Sequence, residues 1–194
     1  MTATAYPIGL DVDGPAKQNR LSVALRMFYV FPHVIVLSFL YIALWIAYFV
    51  SWPVILATGQ YSDGMLKFSL GIWRWSARVG AYAMLLTDKY TPFSMEDDPN
   101  YPIRMPVDPQ VEGRNRITTF WWLREIMAIP HMLVLFVLFV AVWIVVLIAW
   151  VVAIFTAEVP AGFHKFIEGV NRWQVRVGAY IYNFQDQYPP FSLN

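Results

Sequence analysis

Apolar residues fall into two long blocks, set apart by polar and proline-rich stretches. Val34–Thr58 and Met132–Thr156 are each 25 residues without a charge. At 1.5 Å of rise per residue such a helix is about 37 Å long, more than the roughly 30 Å of a bilayer's hydrocarbon core. The pattern therefore predicts two tilted membrane-spanning helices, over about 33–58 and 131–156. The second block repeats the first in register. Adding 98 converts Pro32-His33 into Pro130-His131, Trp45 into Trp143, Trp52 into Trp150 and Thr58 into Thr156. The chain reads as a tandem duplication, with units 1–96 and 97–194.

Each unit opens on an extended arm. Ile8, Leu10 and Val12 alternate, as do Ile103, Met105 and Val107, which is the period of a half-buried strand. Pro106 confines the second arm to an edge or an extended segment. The two arms are expected to pair as a small ribbon, the alternative being two ordered loops. Asn19-Arg20 and Asn115-Arg116 then begin segments mixing aromatic residues with Arg20, Arg26, Arg116 and Arg124. This mixture suits a helix at headgroup level, its basic ends reaching toward phosphate, and Pro32 and Pro130 fit the start of the spans proper. The second copy is about two residues longer here.

After each span a turn leads to a second helix, over about 64–86 and 162–184. Lys67, Gly71, Arg74 and Arg78 fall on one stripe of it, and Lys165, Gly169, Arg172 and Arg176 repeat that stripe. Each arginine at the bilayer centre would cost about 2.5–3.5 kcal/mol against about 0.3–0.6 returned per strong aliphatic, so an amphipathic interfacial helix is expected. The alternative is four transmembrane helices, with the arginines buried against partners such as Glu168. With one crossing per unit the repeats must be inverted relative to each other, and basic residues on both sides of each span give little preference for orientation. Asp-x-Tyr-x-Pro-Phe-Ser closes each unit, at Asp88–Ser94 and Asp186–Ser192.

The composition agrees with a membrane protein: 58% of residues are hydrophobic and 14% charged, with a net charge of +1. No basic stripe suits nucleic acid. The absence of cysteine excludes a disulfide, a thiolate metal site and a thiol nucleophile. The opening MTATAYPIGLDVDGPAKQ lacks the basic start and apolar middle of a signal peptide, so insertion is expected to rest on the first span, with the mature chain beginning near Met1.

The candidates for chemistry are few. His33 and His131 are equivalent and suit interfacial, hydrogen-bonding histidines; paired haem ligation is the sharper reading, although inverted repeats would place them near opposite membrane faces. Trp45 and Trp52, like Trp143 and Trp150, share a helix face and suit packing between the spans with anchorage at the headgroups, rather than a pigment or quinone surface. The stripe Lys67, Arg74, Arg78, with Trp75, and its repeat Lys165, Arg172, Arg176, with Trp173, is the candidate lipid- or partner-binding surface. Asp88 and Asp186 suit pairing with a nearby arginine or backbone capping. No acid–base carboxylate pair, nucleotide-binding glycine loop, Gly-x-Ser-x-Gly elbow or His-Glu-x-x-His helix occurs.

Arg74-Trp75-Ser-Ala-Arg78-Val79-Gly-Ala81-Tyr82 with Asp88-Lys-Tyr90-Thr-Pro92-Phe93-Ser94, and Arg172-Trp173-Gln-Val-Arg176-Val177-Gly-Ala179-Tyr180 with Asp186-Gln-Tyr188-Pro-Pro190-Phe191-Ser192, carry a resemblance. The chain resembles an uncharacterised family of bacterial membrane proteins, common in actinobacteria, built from one or two copies of a domain of unknown function. The resemblance covers nearly the whole chain. It implies a bacterial inner-membrane location and no established activity.

These readings lead to an all-α integral membrane protein acting as a non-catalytic accessory or scaffold subunit, contacting lipid and either other subunits of a membrane complex or copies of itself. A small oligomeric channel or transporter is the alternative, with stripe arginines along an anion path. A haem- or quinone-holding anchor subunit is a third.

Overall fold

The computed structural model of the protein describes residues 6–15, 17–120 and 122–194. Residues 1–5, on which the reading of the leader bears, lie outside that set, as do Ala16 and Trp121 of the second aromatic segment. The elements are β1 (Asp11–Val12), α1 (Arg20–Thr58), α2 (Asp63–Ala83), β2 (Ile103–Arg104), α3 (Arg116–Thr119), α4 (Leu123–Thr156) and α5 (Ala161–Ile181).

Helix α1 corrects the expectation that Pro32 begins a span: it runs unbroken for 39 residues with Pro32 and Pro53 inside it. Its start is fixed by Asn19, whose side-chain oxygen accepts from the backbone N–H groups of Leu21 and Ser22 at 3.0 and 3.2 Å. Pro130 is likewise interior to α4. Asn115 caps α3 in the same way. The two extra residues of the second copy lie between this cap and α4. Two residues rotate a helix by about 200°, which would turn Arg124 away from the place Arg26 holds in the first unit. The chain therefore breaks after α3, with Trp122 in the left-handed region at φ 54°.

Helices α1 and α4 lie side by side and antiparallel. Trp150 Nε1 donates to Val23 O at 2.8 Å near one end, and Tyr48 OH donates to the Glu125 carboxylate near the other. Helices α2 and α5 fold back along them and are also antiparallel, since Asn171 meets Met84 while Trp73 packs on Tyr182. This second layer is the interior. Among the described residues of α2 only Asp63, Gly64 and Lys67 are exposed, and of α5 only Ala161, Gly162, Lys165 and Gln174. The stripe helices are thus enclosed rather than laid over the surface.

A third layer covers the far side of α2 and α5. The arms pair antiparallel, Asp11 opposite Arg104 and Val12 opposite Ile103, and the pairing extends to a bridge between Ile8 and Val107. Pro106 takes part through its carbonyl, which accepts from Gly9 N at 3.1 Å, so its missing N–H costs the ribbon nothing there. Each arm packs on the other unit. Tyr6 OH donates to Gln187 O at 2.9 Å, and its counterpart Tyr101 OH donates to Lys89 O at 2.8 Å. The links into the helices cross over as well: Gln18 N bonds Ala157 O and Arg114 N bonds Gly59 O. Ile8, Leu10, Tyr101, Ile103 and Met105 carry these contacts into the main core, where all five are buried.

Candidate functional site

The arginines of the stripe face the chain's own termini and connectors. Arg74 lies 3.4 Å from Asp97 and donates to Met95 O; Arg78 donates to Glu96 O at 2.7 Å and lies over the Tyr101 ring. In the second unit Arg172 binds Leu10 O of the first arm at 2.8 Å, Leu193 O and the Glu168 carboxylate, and Arg176 donates to Asn194 O. Arg78 is 1% exposed. Burial, then the neighbouring Arg74 charge, lowers the Arg78 pKa below the usual guanidinium value, and Arg176 is lowered likewise by burial and then by Arg172. The expectation of an outward lipid- or partner-binding stripe is corrected to this extent: Lys67 and Lys165 remain exposed, while the arginines between them fasten the tails to α2 and α5. Gly71 and Gly169 belong to the same device, because a Cβ on Gly71 would sit 2.8 Å from Met95 Cβ and one on Gly169 3.0 Å from Leu193 Cβ.

Trp75 and Trp173 point the other way, toward α1 and α4. Each indole N–H donates to a histidine Nδ1, Trp75 to His33 at 3.2 Å and Trp173 to His131 at 3.0 Å. The histidines stack on Phe93 and Phe191 of the closing motif, at 3.9 and 3.7 Å between centroids. Both are fully buried, which corrects the expectation of interfacial histidines. A shared haem iron is geometrically excluded. The contacts Val23–Trp150 and Tyr48–Glu125 set a register in which His33 lies level with residue 140, nine residues or about 13 Å of rise from His131.

Asp88 and Asp186 meet arginines. Arg26, 0% exposed, donates to Asp88 at 2.8 Å, to Gln18 Oε1 and to the carbonyls of Tyr82 and Thr87. Asp88 also accepts from Asn19 N at 3.0 Å, so one carboxylate ties the end of α2 to the start of α1. Asp186 receives two guanidiniums, Arg124 and, at 2.9 Å, Arg114. Burial pushes Arg114 down to about 10, with Asp186 opposing that shift. This corrects the expectation that Arg26 and Arg124 reach toward lipid phosphate: both turn inward onto their aspartates. A signal was present: both stand 62 residues before their aspartates.

The helix pairs α1/α2 and α4/α5, with the histidine–tryptophan and arginine–aspartate contacts inside each, coincide with two matches to one family, a domain of unknown function named DUF4389, over residues 20–95 and 119–192. The chain belongs to the DUF4389 family. It carries the domain twice, in tandem, and the exchanged arms lie outside both DUF4389 segments. Neither curated proteins nor solved structures gave a significant match.

The outer surface of each DUF4389 segment is its long helix. Helices α1 and α4 are long and apolar enough to cross a membrane, with only 28% and 22% of their most apolar windows buried. Exposed apolar side chains run from Leu21 to Val50 on α1 and from Ile126 to Phe155 on α4, including Phe28, Phe39, Phe136 and Phe155, each about 70% exposed. Past Arg20 the charged residues of these helices are Arg26, Arg124 and Glu125, all engaged inward. Ser38, Ser51 and Thr58 return their hydroxyls to Val34, Tyr48 and Val54 carbonyls of their own helix, so they offer no polar path. The arms and connector on the opposite side are acidic in sequence, with Asp97 paired to Arg74 and Arg78 of α2. Residues 6–15 and 96–112 contain Asp11, Asp13, Glu96, Asp97, Asp98, Asp108 and Glu112 against Arg104 alone. Among the described residues no cluster of histidine and carboxylate ligands could hold a metal ion.

Proposed function

We propose that the protein is a non-catalytic scaffold of a bacterial inner membrane, seated in lipid through the α1/α4 face and presenting the acidic ribbon face to a basic partner subunit. The supporting observation is that apolar and acidic faces run along the same length of the molecule, on opposite sides of α2 and α5. An upright crossing would carry Asp11 and the Asp13–Arg104 pair to bilayer depth. Seating on one side leaves the carboxylates in water, where they repel anionic lipid and attract a cationic surface.

The second reading keeps two crossings, and the charge-free 25-residue cores support it. In that reading a partner must cover the acidic face within the membrane. Lys67 and Lys165 separate the two. They are exposed at opposite ends of the antiparallel pair α2/α5, about 28 Å apart along the axis. With no native cysteine, Lys67→Cys and Lys165→Cys can be labelled singly in sealed vesicles by a membrane-impermeant maleimide. Labelling of both from the same side supports one-sided seating; labelling from opposite sides overturns it in favour of crossing.

A further inference from the structure

The pseudo-twofold relation between α2 and α5 is broken by a large difference in side-chain size at Trp73 and its equivalent, Asn171. In the first unit the Trp73 indole lies across Gly178 of α5, so close that a Cβ on Gly178 would stand 2.2 Å from Trp73 Cζ2. The ring also packs on Tyr182, at 5.1 Å between centroids. Adding 98 to Trp73 gives Asn171, and subtracting 98 from Gly178 gives Gly80. The twin slot over Gly80 therefore has a small side chain where its partner has an indole. A Cβ on Gly80 would meet nothing within 4 Å. The result is a part-open cavity of about 170 Å³ lined by Ser76, Ala77 and Gly80 of α2, the following Met84, and Asn171 and Gln174 of α5, with Tyr41 and Leu10 also against it.

We infer that this cavity is a binding site for a small planar ring compound, of benzene to indole size, carrying a polar edge. It occupies the place that Trp73 fills in the twin slot, with Met84 standing where that slot has Tyr182. An apolar cavity of about 150 Å³ in another protein takes up benzene, so the volume suffices. The polar edge is matched from two sides. The Asn171 amide nitrogen is committed to Ile167 O at 2.8 Å and to Met84 Sδ, leaving Oδ1 to accept from a ring N–H or O–H. Trp73 forms another wall, and its buried Nε1 has no acceptor among the described residues. A ring acceptor would satisfy it.

The symmetry supplies the test, with indole as the probe and binding followed by calorimetric titration of the purified protein in lipid nanodiscs. The wild type binds one indole per chain. Asn171→Trp rebuilds the filled slot and binds none; Gly80→Leu, which fills the cavity from the other wall, also binds none should the first variant fold poorly. A wild type that takes up no more indole than empty nanodiscs overturns the inference. So does indole binding that survives both filling substitutions.

Discussion

Asp186 holds more charge together than its twin, and the difference fixes the size of a mutational effect. Asp186→Asn keeps the shape of the side chain but leaves Arg114 and Arg124, 4% and 2% exposed, without a counter-charge. Removing one partner of a buried ion pair costs about 3–5 kcal/mol. For a chain of this length that lowers the unfolding midpoint by about 6–20 °C. Asp88→Asn strands only Arg26, which retains Gln18 Oε1 and the carbonyls of Tyr82 and Thr87, beside a carboxylate already 25% exposed. Its cost is that of a hydrogen bond to a charged group, about 1.5–3 kcal/mol. Arg114 occupies the place of Gln18, so Arg114→Gln converts the arginine cluster at Asp186 into the one at Asp88. In that background Asp186→Asn should cost no more than Asp88→Asn does in the wild type. The assay is a thermal melt of the four variants in nanodiscs, read by near-ultraviolet circular dichroism. Equal shifts for Asp186→Asn and Asp88→Asn, or no recovery in the Arg114→Gln background, would refute the reasoning.

Two further effects follow from the interior and the ribbon. Gly71→Ala drives a Cβ against Met95 and should destabilise by about 1–3 kcal/mol, whereas Gly80→Ala enters open space within a helix and should stabilise by up to about 1 kcal/mol; opposite signs in the same melt are expected, and like signs would contradict the packing. A hydrogen bond from Arg104 holds the Asp13 carboxyl below its usual range. The Asp13–Arg104 pairing is therefore fully present above about pH 4 and lost as pH falls through the lowered folded value. Protection of the Gly9 and Asp108 amides against hydrogen exchange, corrected for intrinsic rates, should hold from pH 7 to about 4 and drop only below; a drop near pH 6 would rule out control by the Asp13–Arg104 pair.

The duplication, the apolar blocks, the alternating arms and the stripe were all legible in the sequence, because each is a periodicity. What periodicity does not carry is which way a face turns. Lys67, Arg74 and Arg78 share a stripe in any environment, and a free helix would offer them to phosphate. Only the tail folding back as Met95–Asp97 turns that face inward. The same limit applies to Pro32: its tolerance at a helix start is real, but the cap at Asn19 and the Arg26 anchor set the start 12 residues earlier. The cavity was illegible for another reason, being a difference between two positions that touch only once α2 and α5 are packed.

The crossing of the arms makes each repeat structurally unfinished. The strand at the front of one unit completes the helix pair of the other, so the covalent unit of duplication and the folding unit do not coincide. The chain has the topology of a swapped dimer whose subunits have been fused end to end. Tethering holds the halves at an effective concentration on the order of millimolar, which short linkers typically give, and makes their association independent of expression level. A chain carrying a single DUF4389 domain and the same arm would have to find that strand on a second molecule.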